Sequence, residues 1–123
     1  MVNLIAVDDE RDVKVLYQHY FSKEIASNAI QLYFESSGSD CLERLSKLEG
    51  DTVVLTDINM PNMNGIELLG KIENKFPHVK VILVSAYDRT HYERQLSKFD
   101  TIEYISKPVD FAKLKSIVLK TFS

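Results

Sequence analysis

Three acidic residues directly follow two apolar runs in this chain. Asp8 and Asp9 come after NLIAV (residues 3–7), and Asp57 comes after TVVLT (residues 52–56). Continuous apolar runs of this length are typical of strands that are buried on both faces of a parallel sheet. Because burying an unpaired charge is costly, carboxylates at such strand ends indicate a chemical site rather than simple turns.

The chemistry of these acids favours a hard divalent cation. No His or Cys stands beside them in the sequence, and Mg²⁺ prefers carboxylate, water and phosphate oxygens. Like charges that meet at one edge of a sheet repel each other unless a cation offsets them. Helix capping would explain Glu10 and in part Asp9, but it gives no reason for acids at two strand ends. We therefore expect Mg²⁺ as the cofactor.

Two more polar residues follow the later apolar runs. Ser85 comes after VKVILV (residues 79–84), and Lys107 comes shortly after IEYI (residues 102–105). A hydroxyl and an ammonium beside carboxylates and a metal ion can hold a phosphoryl group, because cations offset its oxygens and the hydroxyl donates to one of them. Each residue alone would be an ordinary surface residue, but together they predict a phosphoryl-binding pocket.

The rest of the chain supplies the elements that must bring these residues together. Strands are predicted at residues 3–7, 30–35, 52–57, 79–84 and 102–105, and helices at about 11–21, 39–49, 65–76, 89–98 and 110–118. Five strand–helix repeats predict an α/β protein, a doubly wound parallel sheet with strand order 2-1-3-4-5. In that order the first and third strands flank the crevice where ligands bind, so Asp8, Asp9 and Asp57 should converge there.

Local signals predict the ends and the inner faces of the helices. Ser39 is expected to cap the second helix, and Gly50 is expected to end it. The residues predicted to face the core in the first helix are Val13, Leu16, Tyr17 and Tyr20.

The composition is that of one globular domain spanning residues 1–123. Hydrophobic residues make up 45% and charged residues 27% of the chain, which excludes a disordered segment. A formal net charge of −3 argues against direct nucleic-acid binding by this domain. Cys41 is the single cysteine of the chain and has no partner for an intramolecular disulfide, so we expect it to be a reduced thiol. No signal peptide or spanning run is evident, so we expect a cytoplasmic protein without a membrane partner.

Four separated motifs resemble the receiver domain of two-component response regulators, and the resemblance covers essentially the whole chain. The matching segments are AVDDE (6–10), TDINMPNMNGIELL (56–69), VILVSAY (81–87) and EYISKPV (103–109). The resemblance implies a flavodoxin-like (βα)₅ fold. It also implies a role as a signalling switch, in which the only chemistry catalysed is the domain's own phosphorylation and dephosphorylation.

The resemblance assigns a role to each residue of the pocket. It implies that Asp57 accepts a phosphoryl group from a phosphohistidine on a sensor histidine kinase or a phosphotransfer protein. Asp8 and Asp9 would hold Mg²⁺ together with Asp57 and the backbone carbonyl of Asn59. Lys107 would contact the phosphoryl group, and the Lys107–Pro108 peptide would be cis.

The resemblance also implies a switch pair, Ser85 and Tyr104. On phosphorylation the hydroxyl would move toward the phosphoryl group and the ring would turn inward, changing the face formed by the fourth helix, fifth strand and fifth helix. That face would bind an output domain or a target protein that the sequence does not identify. The sequence does not decide whether the domain forms a dimer on phosphorylation. Independently of the resemblance, four aromatic residues are more than a solvated face needs and are expected to form a partner-docking surface: Tyr87, Tyr92, Phe99 and Tyr104.

Two departures from the family's pattern carry expectations of their own. Asp100-Thr101 replaces the small pair that usually precedes the fifth strand, so the fourth helix and its exit could be unusual. Tyr87, two residues after Ser85, is bulky enough to crowd the water that hydrolyses an acyl phosphate, which predicts slow self-dephosphorylation.

Three alternatives remain at this level. A phosphatase of the haloacid-dehalogenase kind also uses a strand-end Asp, but it needs a second Asp where Asn59 stands. A flavodoxin-like cofactor carrier would place a nucleotide phosphate against three acids. A pseudo-receiver scaffold would not need the complete set of acids, serine and lysine.

Overall fold

The computed structural model describes residues 1–99 and 102–122. Its strands are β1 (Val2–Val7), β2 (Ile30–Glu35), β3 (Thr52–Asp57), β4 (Lys80–Ser85) and β5 (Glu103–Ser106). Its α-helices are α1 (Asp12–Tyr20), α2 (Ser22–Ala26), α3 (Gly38–Leu45), α4 (Gly65–Lys75), α5 (Glu93–Leu96) and α6 (Phe111–Lys120). A 3₁₀ turn at Arg89–Tyr92 directly precedes α5.

The strands form one parallel sheet in the order β2-β1-β3-β4-β5, which confirms the predicted topology. The register pairs Val7 with Thr56 and Asp57 with Val84. Because all strands run in the same direction, their carboxyl ends lie along one edge of the sheet. The residues that follow β1 and β3 are therefore neighbours in space.

The core lies on both faces of the sheet, as expected for a doubly wound fold. Alternate residues of β1 point to opposite sides, with Leu4 packing toward α1 and α6 and Ile5 toward α3 and α4. Both side chains are fully buried. Cys41 of α3 is also buried, and burial raises the pKa of its thiol to about 12, so it is a packed and unreactive group.

The residues predicted to cap and to end the second predicted helix, which is α3 in the structure, do not have those roles. Ser37, and not Ser39, caps α3, because its hydroxyl accepts the backbone N–H of Asp40 at 3.1 Å. α3 ends at Leu45, and Gly50 lies in the connection to β3 with a φ of +89°, a conformation that glycine adopts readily. Gly50 thus shapes the turn into β3 rather than ending the helix.

The inner face predicted for α1 is partly wrong. Tyr17 is buried, but Leu16 and Tyr20 are 48% and 41% exposed. The face that meets the sheet follows the row of Val13, Tyr17 and Phe21, at i, i+4 and i+8. Leu16 and Tyr20 belong to the adjacent row, which lies at the margin of the packed face.

The segment predicted as a fourth helix is shorter and more irregular than expected. Residues 89–92 form the 3₁₀ turn and α5 is only one turn long. Tyr92 and Leu96 anchor this segment to the core. Asp100-Thr101, the departure noted in the sequence, lies outside the described residues. Within the residues described, no helix has the combined length and apolarity required to cross a membrane.

Candidate functional site

Three carboxylates converge at the carboxyl edge of the sheet, as the sequence predicted. Asp8 and Asp9 follow β1, and Asp57 is the last residue of β3. Each contributes an oxygen to a cluster in which these atoms all lie within 4.8 Å of one another. The pairing of β1 with β3 brings them together, since Val7 and Thr56 are partners in the ladder.

The charges in this cluster are not balanced by the protein alone. Asp8 is 5% exposed, and loss of solvent raises the pKa of its carboxyl to about 6. The backbone N–H of Glu10 donates to Asp8 Oδ1 at 2.9 Å and lowers that pKa, whereas the negative charge of Asp57 raises it. A cation held among these oxygens would remove the repulsion. An all-oxygen donor set of this charge fits Mg²⁺.

Lys107 lies against the carboxylate of Asp57. Its Nζ is 3.2 Å from Asp57 Oδ2, and its side chain is 40% exposed while that of Asp57 is 12% exposed. Lys107 is held from the adjacent strand, because its backbone N–H donates to the carbonyl of Ser85 at 2.7 Å. The Lys107–Pro108 peptide is cis, as the resemblance implied. An ammonium group therefore lies beside the carboxylate of Asp57.

The loop after Asp57 is fixed by a close approach of two backbones. Gly65 begins α4, and its N–H donates to the carbonyl of Ile58 at 2.9 Å. A Cβ at Gly65 would lie 2.5 Å from the carbonyl oxygen of Asp57 and 2.9 Å from Cα of Ile58. The helix start is further held by Asn64 and Glu67, which form a capping box. Only glycine allows α4 to begin this close to the acidic strand end.

Ser85 and Tyr104 are linked through one residue. Ser85 is fully buried, and its Oγ accepts the backbone N–H of Tyr87 at 3.1 Å. The hydroxyl of Tyr104 donates to the carbonyl of Tyr87 at 2.7 Å. Burial raises the pKa of the Tyr104 phenol, and the nearby Ser85 side chain partly opposes that effect. The two residues implied to act as a switch are therefore neighbours.

Asn59 lies in the loop directly beside Asp57. Its backbone N–H donates to Asp57 Oδ1 at 3.3 Å. Its side-chain Oδ1 accepts a long hydrogen bond, 3.4 Å, from the hydroxyl of Tyr92. Tyr92 is only 7% exposed, so the expectation that it belongs to a docking surface is wrong. Of the four aromatic residues named for that surface, only Tyr87 is exposed, and its ring stacks on His91.

Sequence reasoning missed two contributors to the site. The pKa of Tyr17 is raised mainly by burial, and the charges of Asp8 and Asp57 add to the shift. The phenol of α1 therefore lies within electrostatic reach of the cluster, although spacing had marked it only as a core residue. The contact of Tyr92 with Asn59 joins residues 33 positions apart. No local pattern in the sequence signals such a pair.

The comparisons with known proteins agree on one family. A family model described as the response regulator receiver domain matches residues 4–119. The sporulation initiation phosphotransferase F of Bacillus subtilis is 26% identical over 117 residues, which cover 95% of this chain and 90% of the relative. The transcriptional regulatory protein HptR of Staphylococcus aureus is 31% identical over 119 residues. That match covers 96% of this chain but only 45% of HptR.

Solved structures agree with the sequence relatives. The response regulator protein TrrA from Thermotoga maritima, solved in complex with Mg²⁺-BeF, is 30% identical to this chain. The two superimpose with a TM-score of 0.77 over 98% of each chain. A receiver domain protein from Clostridium thermocellum, 23% identical, shares the fold with a TM-score of 0.82 over 98% of this chain and 93% of its own.

Proposed function

Because this chain belongs to the family of response regulator receiver domains, we propose that Asp57 accepts a phosphoryl group from the phosphohistidine of a sensor kinase or phosphotransfer protein. One observation carries the proposal above all. Oxygens of Asp8, Asp9 and Asp57 lie within 4.8 Å of one another, and the ammonium of Lys107 lies 3.2 Å from Asp57 Oδ2. A carboxylate that lies close both to two further acids and to a cation suits phosphoryl transfer.

In the proposed reaction a carboxylate oxygen of Asp57 attacks phosphorus. The new P–O bond forms as the P–N bond to the donor imidazole breaks, and the imidazole keeps the electron pair. Lys107 offsets negative charge on the phosphoryl oxygens, while the Asn59 N–H orients the acceptor carboxylate through its bond to Oδ1.

Mg²⁺ belongs to the proposal as the cofactor of this site. Asp8, Asp9 and Asp57 would hold it, with the backbone carbonyl of Asn59 as the further ligand that the family resemblance implies. When bound, it would neutralise charge on the acids and on the phosphoryl oxygens. The Mg²⁺-BeF complex of TrrA supports this choice by similarity.

The exposed residues of α1 suggest how a protein donor docks. Leu16 and Tyr20 are half exposed, and the ring of Tyr20 stacks on Phe111 with centroids 3.9 Å apart. Both helices begin near the acidic edge, α1 three residues after Asp9 and α6 three residues after Pro108, and Phe111 is the first residue of α6. We infer that an apolar surface beside the donor histidine packs here.

The output is proposed to be protein binding rather than catalytic turnover. Phosphorylation would draw Ser85 toward the phosphoryl group and break the contacts that Ser85 and Tyr104 share through Tyr87. The face made by the 3₁₀ turn, α5, β5 and α6 would then favour another arrangement. A target protein, an output domain or a second copy of the chain would bind this rearranged face. We place this switch in the cytoplasm, where a reduced Cys41 persists.

The test uses a donor that needs no protein docking. The wild type and Asp57→Asn are incubated with phosphoramidate and Mg²⁺, and their intact masses are compared. We expect the wild type alone to gain one phosphoryl group, and to lose that gain when Mg²⁺ is chelated. Uptake by Asp57→Asn, or none by the wild type, would contradict the proposal. Steady release of phosphate from small phosphoesters would point instead to a phosphatase.

A further inference from the structure

The hydroxyl of Tyr92 reaches the loop that carries the proposed phosphoacceptor. Tyr92 ends the 3₁₀ turn, and its phenol donates to Oδ1 of Asn59 at 3.4 Å. Asn59 in turn donates its backbone N–H to Asp57 Oδ1 at 3.3 Å. A buried residue of the 3₁₀ turn is therefore linked to Asp57 through a single residue, Asn59.

The ring of Tyr92 is held firmly enough to aim its hydroxyl. His91 meets it edge-on with centroids 4.7 Å apart, and Tyr87 meets it edge-on at 6.3 Å. The ring also packs in the core cluster that contains Ile58 and Leu96. Because the ring is already ordered by this packing, the hydroxyl keeps its direction at little further entropic cost.

We propose that Tyr92 is a positioning residue that fixes the side-chain amide of Asn59 and thereby slows hydrolysis of phosphorylated Asp57. The inference rests on the proposed function. A carboxamide has its acceptor oxygen on one side and its two donor hydrogens on the other. Since the phenol engages Oδ1, the amide plane is fixed and its oxygen is turned toward Tyr92.

Hydrolysis of the acyl phosphate is sensitive to that orientation. The water oxygen bonds to phosphorus, the bond between phosphorus and the Asp57 oxygen breaks, and Asp57 leaves as a carboxylate. The proton released by the water passes to solvent or to the phosphate product, and a nearby acceptor assists its departure. An unrestrained Asn59 amide, two residues from Asp57, would offer Oδ1 to that water. The Tyr92 hydroxyl holds this acceptor elsewhere.

The test is a double-mutant cycle on the lifetime of the phosphorylated protein. The wild type, Tyr92→Phe, Asn59→Ala and the double variant are phosphorylated with phosphoramidate and Mg²⁺, freed of donor, and followed by intact mass. Phe keeps the packed ring and removes only the hydroxyl. Because the hydrogen bond is long and its net contribution is modest, Tyr92→Phe should speed decay by about 2- to 10-fold and no more. In the Asn59→Ala background the same change should have no effect.

Tyr33→Phe is the matched control, since it removes a phenol hydroxyl from β2, beneath Arg44 and on another strand from Asp57. It should leave the lifetime unchanged. An unchanged lifetime in Tyr92→Phe overturns the inference, and so does equal acceleration in the Asn59→Ala background or in Tyr33→Phe. In all three cases the wild type still takes up a phosphoryl group, so the proposed function survives. A wild type that takes up none overturns both.

Discussion

Replacing Asp8 with Asn should stabilise the metal-free protein at neutral pH. Asp8 is 5% exposed, and burial is the largest cause that raises the pKa of its carboxyl from 3.8 to about 6. The folded state therefore binds the proton more tightly than the unfolded state. The contribution of Asp8 to stability is therefore fully present below about pH 4, is lost as the pH rises through about 6, and is absent above that range.

The rise of the Asp8 pKa from 3.8 to about 6 sets an upper limit on the effect. At about 1.4 kcal/mol per unit, the ionised Asp8 costs at most about 3 kcal/mol of the free energy of unfolding at pH 7. Asn at this position can still accept the N–H of Glu10, which Asp8 Oδ1 accepts at 2.9 Å. We therefore expect Asp8→Asn to gain about 1–3 kcal/mol at pH 7 and nothing below about pH 4.

The assay is urea unfolding followed by circular dichroism in the presence of a chelator, at a series of pH values. Asp51→Asn is the control, because Asp51 is an exposed carboxylate in the connection before β3. It should change the free energy of unfolding by no more than about 0.5 kcal/mol. If the wild type and Asp8→Asn give parallel stability curves from pH 4 to 8, the electrostatic account of the cluster is refuted.

Addition of Mg²⁺ should reverse the order of the two proteins. A ligand that binds only the folded state stabilises it according to its concentration relative to Kd. The wild type should gain stability with Mg²⁺, and Asp8→Asn should gain much less because it lacks one of the three clustered carboxylates. An equal gain in both proteins would show that Asp8 is not a ligand.

Other substitutions test the packing, docking and hydrolysis arguments. Gly65→Ala should cost about 1–3 kcal/mol in urea unfolding, because its Cβ would lie 2.5 Å from the carbonyl oxygen of Asp57. Leu16→Glu should slow phosphorylation by a kinase or phosphotransfer protein at least about tenfold, since a charge would enter a packed apolar contact, and it should leave uptake from phosphoramidate unchanged. Tyr87→Ala should shorten the lifetime of phosphorylated Asp57, as measured by intact mass.

Each of these substitutions has a control in the chain or in the assay. For Gly65, the control is Gly70→Ala, whose Cβ would meet only Phe99 at 3.9 Å. Equal losses in the two variants would disprove the close-approach argument. For Leu16, slower uptake from phosphoramidate would reveal damage to the site rather than to docking. For Tyr87, the control is Tyr87→Phe, which keeps the bulk of the ring. An unchanged lifetime in Tyr87→Ala would remove the crowding argument.

The strand ends were predictable because they depend on local signals. The apolar runs before Asp8 and Asp57 are visible in the sequence, and the alternation of strands with helical segments leaves few topologies for a parallel sheet. Once the order 2-1-3-4-5 was expected, the convergence of the acids followed from geometry. The position of Lys107 beside Asp57 followed in the same way, since both lie at strand ends on one edge.

The exact face of α1 was not predictable from spacing. Leu16 and Tyr17 are adjacent apolar residues, and either could have led the buried row. The sheet and α6 decided it, because Tyr17 packs with Leu4 and Leu114 while Leu16 is left half exposed. The helix predicted at residues 89–98 was uncertain for a similar reason, because its weak amphipathicity did not define where the helix ends. In the structure only Tyr92 and Leu96 of this segment are buried in the core.

The sequence by itself determined the class of fold, the set of charged and hydroxyl groups, and the edge at which they meet. These are properties of hydrophobic period and of residue type at strand ends. The tertiary structure alone decided which groups touch. The close approach of Gly65 to Asp57 and the contact of Tyr92 with Asn59 join segments that are brought together only by packing. Such contacts depend on the relative placement of whole elements, which no local pattern encodes.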